Sequence, residues 1–232
     1  MVDASIKANG MHHLAISTAD IKQQIEFFTD VLGMELVALY WMHGVEGAWH
    51  GFMKANDHCY IAFVQLDAIR EIPIEYGKTH AGSGALPSAP GTMQHLALNV
   101  DTPEELLNMR DRIRSRGVNV LGPIDHGMCQ SIYFAGPEGL TLEVTTSEQP
   151  IDARAWIDPE VVALAGISEE ELSRYRQPAS YAGEGGGVPQ PPIDPDKPHM
   201  RYPPKVYEKI MSMSDEEITR TSSMPEPPVK VD

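Results

Sequence analysis

Apolar and polar residues alternate with a period of two at several places in the first 146 residues. Stretches of helical period lie between them, and the whole order occurs twice. The runs His13-Leu14-Ala15-Ile16-Ser17 and His95-Leu96-Ala97-Leu98-Asn99 have the alternation of half-buried strands. An acidic residue follows each, Asp20 or Asp101, and then a segment of helical spacing, 21–32 or 103–116. Pro103 suits a first helical turn with Thr102 or Asp101 as its cap, and each helix ends at a glycine, Gly33 or Gly117, fit for a left-handed C-cap. Three further strands follow in each copy, predicted at 35–41, 48–53 and 58–65, and again at 118–121, 130–134 and 140–145. The predicted fold is therefore α+β. Two tandem βαβββ modules form a cupped mixed β-sheet with outer helices, and a Pro-rich extension follows. The boundaries fall at 1–80 for the first module, 81–91 for a linker rich in Gly, Ser, Ala and Pro, 92–147 for the second module and 148–232 for the extension.

Period two also assigns the faces. Leu96, Leu98 and Val100 should pack under the second helix together with Leu140, Leu142 and Val144. His95, Ala97 and Asn99 then share the opposite face with Thr141, Glu143 and Thr145. In the first copy Leu14 and Ile16 pack on the helix, and His13, Ala15 and Ser17 oppose it. A single strand histidine has an ordinary explanation in core or rim hydrogen bonding. Two histidines at repeat-equivalent positions and a glutamate, all on helix-free faces, instead suggest a facial metal site. Its donors suit Fe, Mn, Zn or Ni, with one side open for a substrate.

The extension reads differently. Thirteen of the 19 prolines lie between Pro150 and Pro228, which argues against long helices and central strands there. Short helices are predicted at 168–177, where Ser168 and Glu171 form a capping box, and around 205–213, with the last ten residues frayed. Scattered anchors such as Trp156, Tyr202 and Val206 are expected to be buried as the extension clasps the modules or a second subunit. The glycine run at 183–187 is not followed by a helix and is not read as a phosphate loop.

Composition narrows the partners. The chain has 232 residues, with 33 acidic against 18 basic side chains and a net charge of −15. That balance disfavours nucleic acid and anionic membrane surfaces, both of which call for Lys/Arg patches. The two cysteines, Cys59 and Cys129, are too few for a disulfide framework. No signal-peptide core or membrane span stands out, so a cytoplasmic location is expected. A small-molecule substrate and a homodimer complete the expectation.

The stretches HHLAISTADIKQQIEFFTDVLGMEL and SIYFAGPEGLTLEV resemble the opening and closing segments of the vicinal oxygen chelate superfamily. That group includes glyoxalase I, extradiol dioxygenases, fosfomycin-resistance proteins and bleomycin-binding proteins. The resemblance covers both modules and stops before the extension. It implies metal ligands at His13, His95 and Glu143, with His12 the rival of His13 but out of register with His95. Aligning YIAFVQ with LTLEVT places Phe63 at the superfamily's further ligand position, with Gln65 two residues on. A Phe there departs from the four-ligand glyoxalase pattern and approaches the His, His, Glu set of extradiol dioxygenases, which implies Fe(II). Tyr133 resembles a tyrosine that holds the substrate hydroxyl in those enzymes, and it equally suits the packing of a cup wall. His126 is a candidate general acid/base or a surface-turn residue; His50 and His58 either reach the cup or face solvent, with His58 read as a solvent or rim residue. The leading expectation is a dioxygenase acting on a catecholic or related aromatic molecule. The alternatives are a redox-neutral isomerase, lyase or transferase and a non-catalytic binding protein.

Overall fold

The computed structural model describes residues 7–181 and 186–231. Residues 8–177 form one compact unit, and the residues on either side of them form another. In the larger unit the order is β1 (His13–Thr18), α1 (Ile21–Asp30), β2 (Glu35–Trp41), β3 (Trp49–Asn56), β4 (Cys59–Gln65) and a short α2 (Asp67–Arg70). Then come β5 (Leu96–Asn99), α3 (Pro103–Ser115), β6 (Leu121–Asp125), β7 (Gln130–Ala135), a 3₁₀ turn (Pro137–Gly139) and β8 (Thr141–Thr146). Three short helices close the unit: α4 (Ala153–Trp156), α5 (Pro159–Leu164) and α6 (Glu169–Arg176).

The two βαβββ modules are present, each as its own four-stranded mixed sheet. The strand orders are β1-β4-β3-β2 and β5-β8-β7-β6. In each, the first strand runs parallel to the last and the rest are antiparallel. The predicted faces hold. Leu96, Leu142 and Val144 are buried in one core cluster with Leu106 and Ile113 of α3, and with Ile21, Phe28, Ile61 and Phe63 of the first module.

Caps follow the local sequence. Thr102 accepts from the Glu105 amide while Glu105 returns the bond to the Thr102 amide, and Ser168 and Glu171 do the same for α6. Gly33 and Gly117 both take positive φ, 80° and 78°. At Gly33 the space is constrained as well, because a Cβ would lie 3.0 Å from the Arg112 guanidinium carbon.

Four sequence expectations are corrected. The strand predicted at 118–121 starts at Leu121 and runs through Pro123 to Asp125. As the outer strand, β6 pairs with β7 alone, so a proline costs it little. Phe63 does not border the helix-free face. It is fully buried against Phe28, with ring centroids 5.0 Å apart. The register explains why: β1–β4 pairs Ala15 with Ala62, whereas β5–β8 pairs Ala97 with Glu143. Ala62 is thus the counterpart of Glu143, and a one-residue slip in the alignment had reversed the face. Trp156 is not buried within the larger unit; it keeps 47% of its surface exposed. The smaller unit holds α7 (Pro204–Met211), as expected, and also α8 (Asp215–Ser222), set by a capping box between Ser214 and Glu217. The glycine run falls largely outside the described residues.

The modules are joined across α1. Glu138, in the 3₁₀ turn, accepts from Thr18 Oγ1 at 2.6 Å, the Ala19 amide at 2.8 Å and Gln24 Nε2 at 2.9 Å. Arg112 of α3 donates to the carbonyls of Thr29, Asp30 and Val31 at the other end of the helix. Glu138→Ala would orphan the buried Thr18 and Gln24 side chains, and should lower stability by about 2–4 kcal/mol in denaturant unfolding. Glu138→Gly should cost about 1 kcal/mol less, because Glu138 sits at φ 52° and glycine relieves that strain.

Candidate metal centre

Four of the five residues singled out from the sequence meet on the helix-free face of the second sheet. Glu143 lies in β8 with Ala97 on one side and Tyr133 of β7 on the other. His95 stands one residue before β5, and its Nε2 is 2.9 Å from Glu143 Oε2. The Glu143 side chain is only 7% exposed, so its charge is withheld from water. His126 Nε2 is 3.0 Å from the Tyr133 hydroxyl. Burial holds the Tyr133 phenol above its usual range, and the Glu143 charge acts in the same sense.

The hydrogen bonds around His95 assign its tautomer. Gln94 Nε2 donates to the Ser83 carbonyl at 3.0 Å and the Leu86 carbonyl at 3.4 Å. That orients the amide and turns Gln94 Oε1 toward His95 Nδ1. An amide oxygen only accepts, so Nδ1 carries the hydrogen. In the neutral ring Nε2 is then a lone pair, and it faces a carboxylate oxygen that is also a lone-pair donor. Two such groups at 2.9 Å are held together by a cation between them, either a second proton on the ring or a metal ion. The donor set therefore fits a divalent metal.

A cavity of about 480 Å³ adjoins this pair, with His95, His126 and Tyr133 in its wall. Leu121, Ile124, Phe134 and Leu140 supply an apolar lining, and the 82–85 segment between the modules closes one side. Among the described residues no Lys or Arg lines it.

His13 belongs to the other sheet. It opens β1, with Phe52 at 5.4 Å and His12 at 5.2 Å between ring centroids. With His13 set beside His95, Leu14 pairs with Ile61 where Leu96 pairs with Leu142. Tyr40, His50 and Phe52 share its face: the His50 ring packs tilted against Phe52 at 4.5 Å between centroids, and the Tyr40 hydroxyl is 3.4 Å from His50 Nδ1. His50 Nε2 is buried and unpartnered. His58 is exposed, as expected of a rim residue. Gln65 is no ligand: its Oε1 accepts from the Ile21 amide at 2.7 Å, at the start of α1. Among the described residues no group of three or more His, Cys, Asp or Glu side chains is arranged to hold a metal ion. His95 and Glu143 thus form a pair, and His13 lies apart from it.

Gln94 and the 82–85 wall were not foreseen. The only sequence signal for Gln94 was its place beside His95, and the wall had read as a linker.

A sheet pair of this kind with a histidine–carboxylate face defines a class. The family profile described as "Glyoxalase/Bleomycin resistance protein/Dioxygenase superfamily" matches residues 10–144, and the chain belongs to that superfamily. Among its relatives is "Biphenyl-2,3-diol 1,2-dioxygenase 2" of Rhodococcus globerulus, 32% identical over 74 residues, or 31% of this chain and 38% of that protein. The "Putative ring-cleaving dioxygenase MhqA" of Bacillus subtilis (strain 168) is 25% identical over 184 residues, 76% of this chain and 54% of that one. The "Probable lactoylglutathione lyase" of Synechocystis sp. is 25% identical over 147 residues, 60% of this chain and 97% of that one. The matches thus span 38% and 54% of the lengths of the two dioxygenases. No helix among the described residues is long and apolar enough to cross a membrane.

His50 provides a test of the first-module face. Burial first, and then the nearby His13, push its imidazole below the ordinary histidine range. A depressed folded value favours the neutral ring, so this contribution to stability is present above the unfolded pKa and is lost as pH falls through the folded one. In an NMR pH titration the His50 midpoint should lie below the ordinary histidine range and rise when His13 is replaced by Ala.

Proposed function

We propose that this chain is a metal-dependent enzyme whose divalent ion is held by His95, Glu143 and His13. The observation that carries this reading is the His95–Glu143 contact, in which Nε2 faces the carboxylate at 2.9 Å while Nδ1 faces the Gln94 amide oxygen. The leading chemistry is ring cleavage by an Fe(II) dioxygenase acting on a catechol or related aromatic molecule. Two relatives named as dioxygenases support it. Bound there, the metal would hold two adjacent substrate oxygens and supply the redox chemistry; Mn, Zn or Ni would serve the redox-neutral alternatives.

The chain's own residues do the rest. The apolar cavity wall takes the carbon skeleton and keeps water from it. Tyr133 stays a neutral phenol, able to donate its hydrogen to a substrate oxygen. His126 Nε2, 3.0 Å from that hydroxyl, can instead accept the phenol hydrogen while the Tyr133 oxygen takes a proton from the substrate, so the pair works as a relay in which only one acceptor holds the phenol hydrogen at a time. The lack of Lys and Arg in the lining favours an uncharged substrate over one bearing carboxylates or phosphates.

A second reading is a redox-neutral lyase or isomerase of the glyoxalase kind. It is favoured by size, since the match covers 97% of the lyase but only part of each dioxygenase. Oxygen uptake with uncharged catechols by the Fe(II)-loaded protein, set against turnover of the methylglyoxal–glutathione hemithioacetal, decides between them. Neither activity, in a protein that binds metal and aromatic ligands, would leave the binding-protein reading.

The protein should bind one divalent ion per site. Glu143→Ala should weaken that binding at least about 100-fold, since it removes the only anionic donor. The expected assembly is a homodimer. Mixing the His13→Ala and Glu143→Ala variants then tests for a shared site: recovery of metal binding in the mixture shows that His13 comes from the second copy. No recovery shows that one chain supplies all three ligands. Tyr133→Phe should lower kcat about 10²-fold or more with little change in metal content, read by steady-state kinetics and metal analysis.

A further inference from the structure

The segment between the modules is more than a tether. Its residues 82–85 wall the cavity, and its Ser83 and Leu86 carbonyls both accept from the Gln94 side chain. The same side chain accepts from His95 Nδ1. One amide therefore bridges the cavity wall and the imidazole that faces Glu143. All of its hydrogen-bonding capacity lies in that bridge: both hydrogens go to the wall, and the oxygen goes to the ring.

We infer that Gln94 is a positioning residue that couples the 82–86 wall to His95, setting which ring nitrogen is free to face Glu143. The competing arrangement is plain. Without Gln94, the stronger acceptor near His95 is the Glu143 carboxylate at 2.9 Å. The ring would place its hydrogen on Nε2 and bond to Glu143, closing the position a metal needs. Gln94 holds the hydrogen on Nδ1 and leaves Nε2 to the metal side. Because the amide is itself held by the wall, a ligand that displaces residues 82–86 also releases the constraint on His95. Cavity occupancy and metal affinity are then linked, and the linkage is reciprocal.

The proposal rests on the metal-site reading for its consequence, but its first readout does not. Two substitutions separate the two halves of the bridge. Gln94→Ala removes both. Gln94→Glu keeps an oxygen acceptor for Nδ1 and loses the donors to Ser83 and Leu86. Nitrogen NMR of histidine-labelled full-length protein, metal-free and in neutral buffer, reports the state of His95 Nδ1. It should be protonated in the wild type and in Gln94→Glu, and unprotonated in Gln94→Ala.

Amide hydrogen exchange across 82–86 should quicken in both variants. Zn(II) affinity, measured by competition with a chelator, should fall about 10- to 100-fold in Gln94→Ala. An unprotonated Nδ1 in the wild type overturns the proposal. So does the same Nδ1 state in Gln94→Ala as in the wild type, or unchanged 82–86 exchange in Gln94→Glu. A wild type that binds no Zn(II) yet shows the expected nitrogen pattern would overturn the metal reading and leave the coupling standing.

Discussion

The grip of the second module on both ends of α1 holds the larger unit together. A carboxylate, Glu138, sits at the entrance of the helix, and a guanidinium, Arg112, covers the carbonyls at its exit. Those are the signs that the helix dipole favours at each end. The magnitudes settle whether the grip is worth its strain. Holding a non-glycine residue at φ 52° costs about 1–3 kcal/mol. Glu138 accepts three charge-assisted hydrogen bonds, each worth about 1.5–3 kcal/mol, so the bonds outweigh the strain. Because α1 packs through Phe28 on Phe63, gripping the helix also places the first sheet against the second module.

That arrangement bears on the site through the chain itself. The turn carrying Glu138 joins β7 to β8, the strands that carry Tyr133 and Glu143. The side chain anchored to the first module and the two candidate site residues thus share one hairpin. Buried partners on both sides, Thr18 and Gln24 for the turn and Leu142 and Val144 for the strand, leave that hairpin little freedom.

The repeat made most of the fold legible. Alternation assigned the faces of β1, β5 and β8 correctly, and the acid–helix–glycine order marked both helices. Alternation could not supply the pairing register of β4, whose residues Ile61, Ala62 and Phe63 are all buried and show no polar beat. Hence Phe63 was set on the wrong face and Ala62 overlooked. In the extension, counting prolines hid Ser214 and Glu217, a capping pair as clear as the one that revealed α6. The candidate ligands were legible because metal chemistry restricts the donor types. Gln94 was not, since an amide beside a histidine carries no meaning until its acceptors on the 82–86 segment are in place.

The two halves of the candidate site differ in character, and the difference follows from their positions after the repeat diverged. At the Glu143 position the first module carries Ala62, so its face has no buried carboxylate to attract a cation. What it presents instead is aromatic and imidazole surface: His13, Tyr40, His50 and Phe52 in mutual contact. The second module presents the buried anion and the oriented histidine. A cation would therefore be recruited by the second module, whose Glu143 has the stronger electrostatic claim. The first-module face offers imidazole and aromatic rings, a surface of the kind on which planar groups pack. The same scaffold thus carries two unlike faces, one with a buried carboxylate beside an imidazole and one of packed aromatic and imidazole rings.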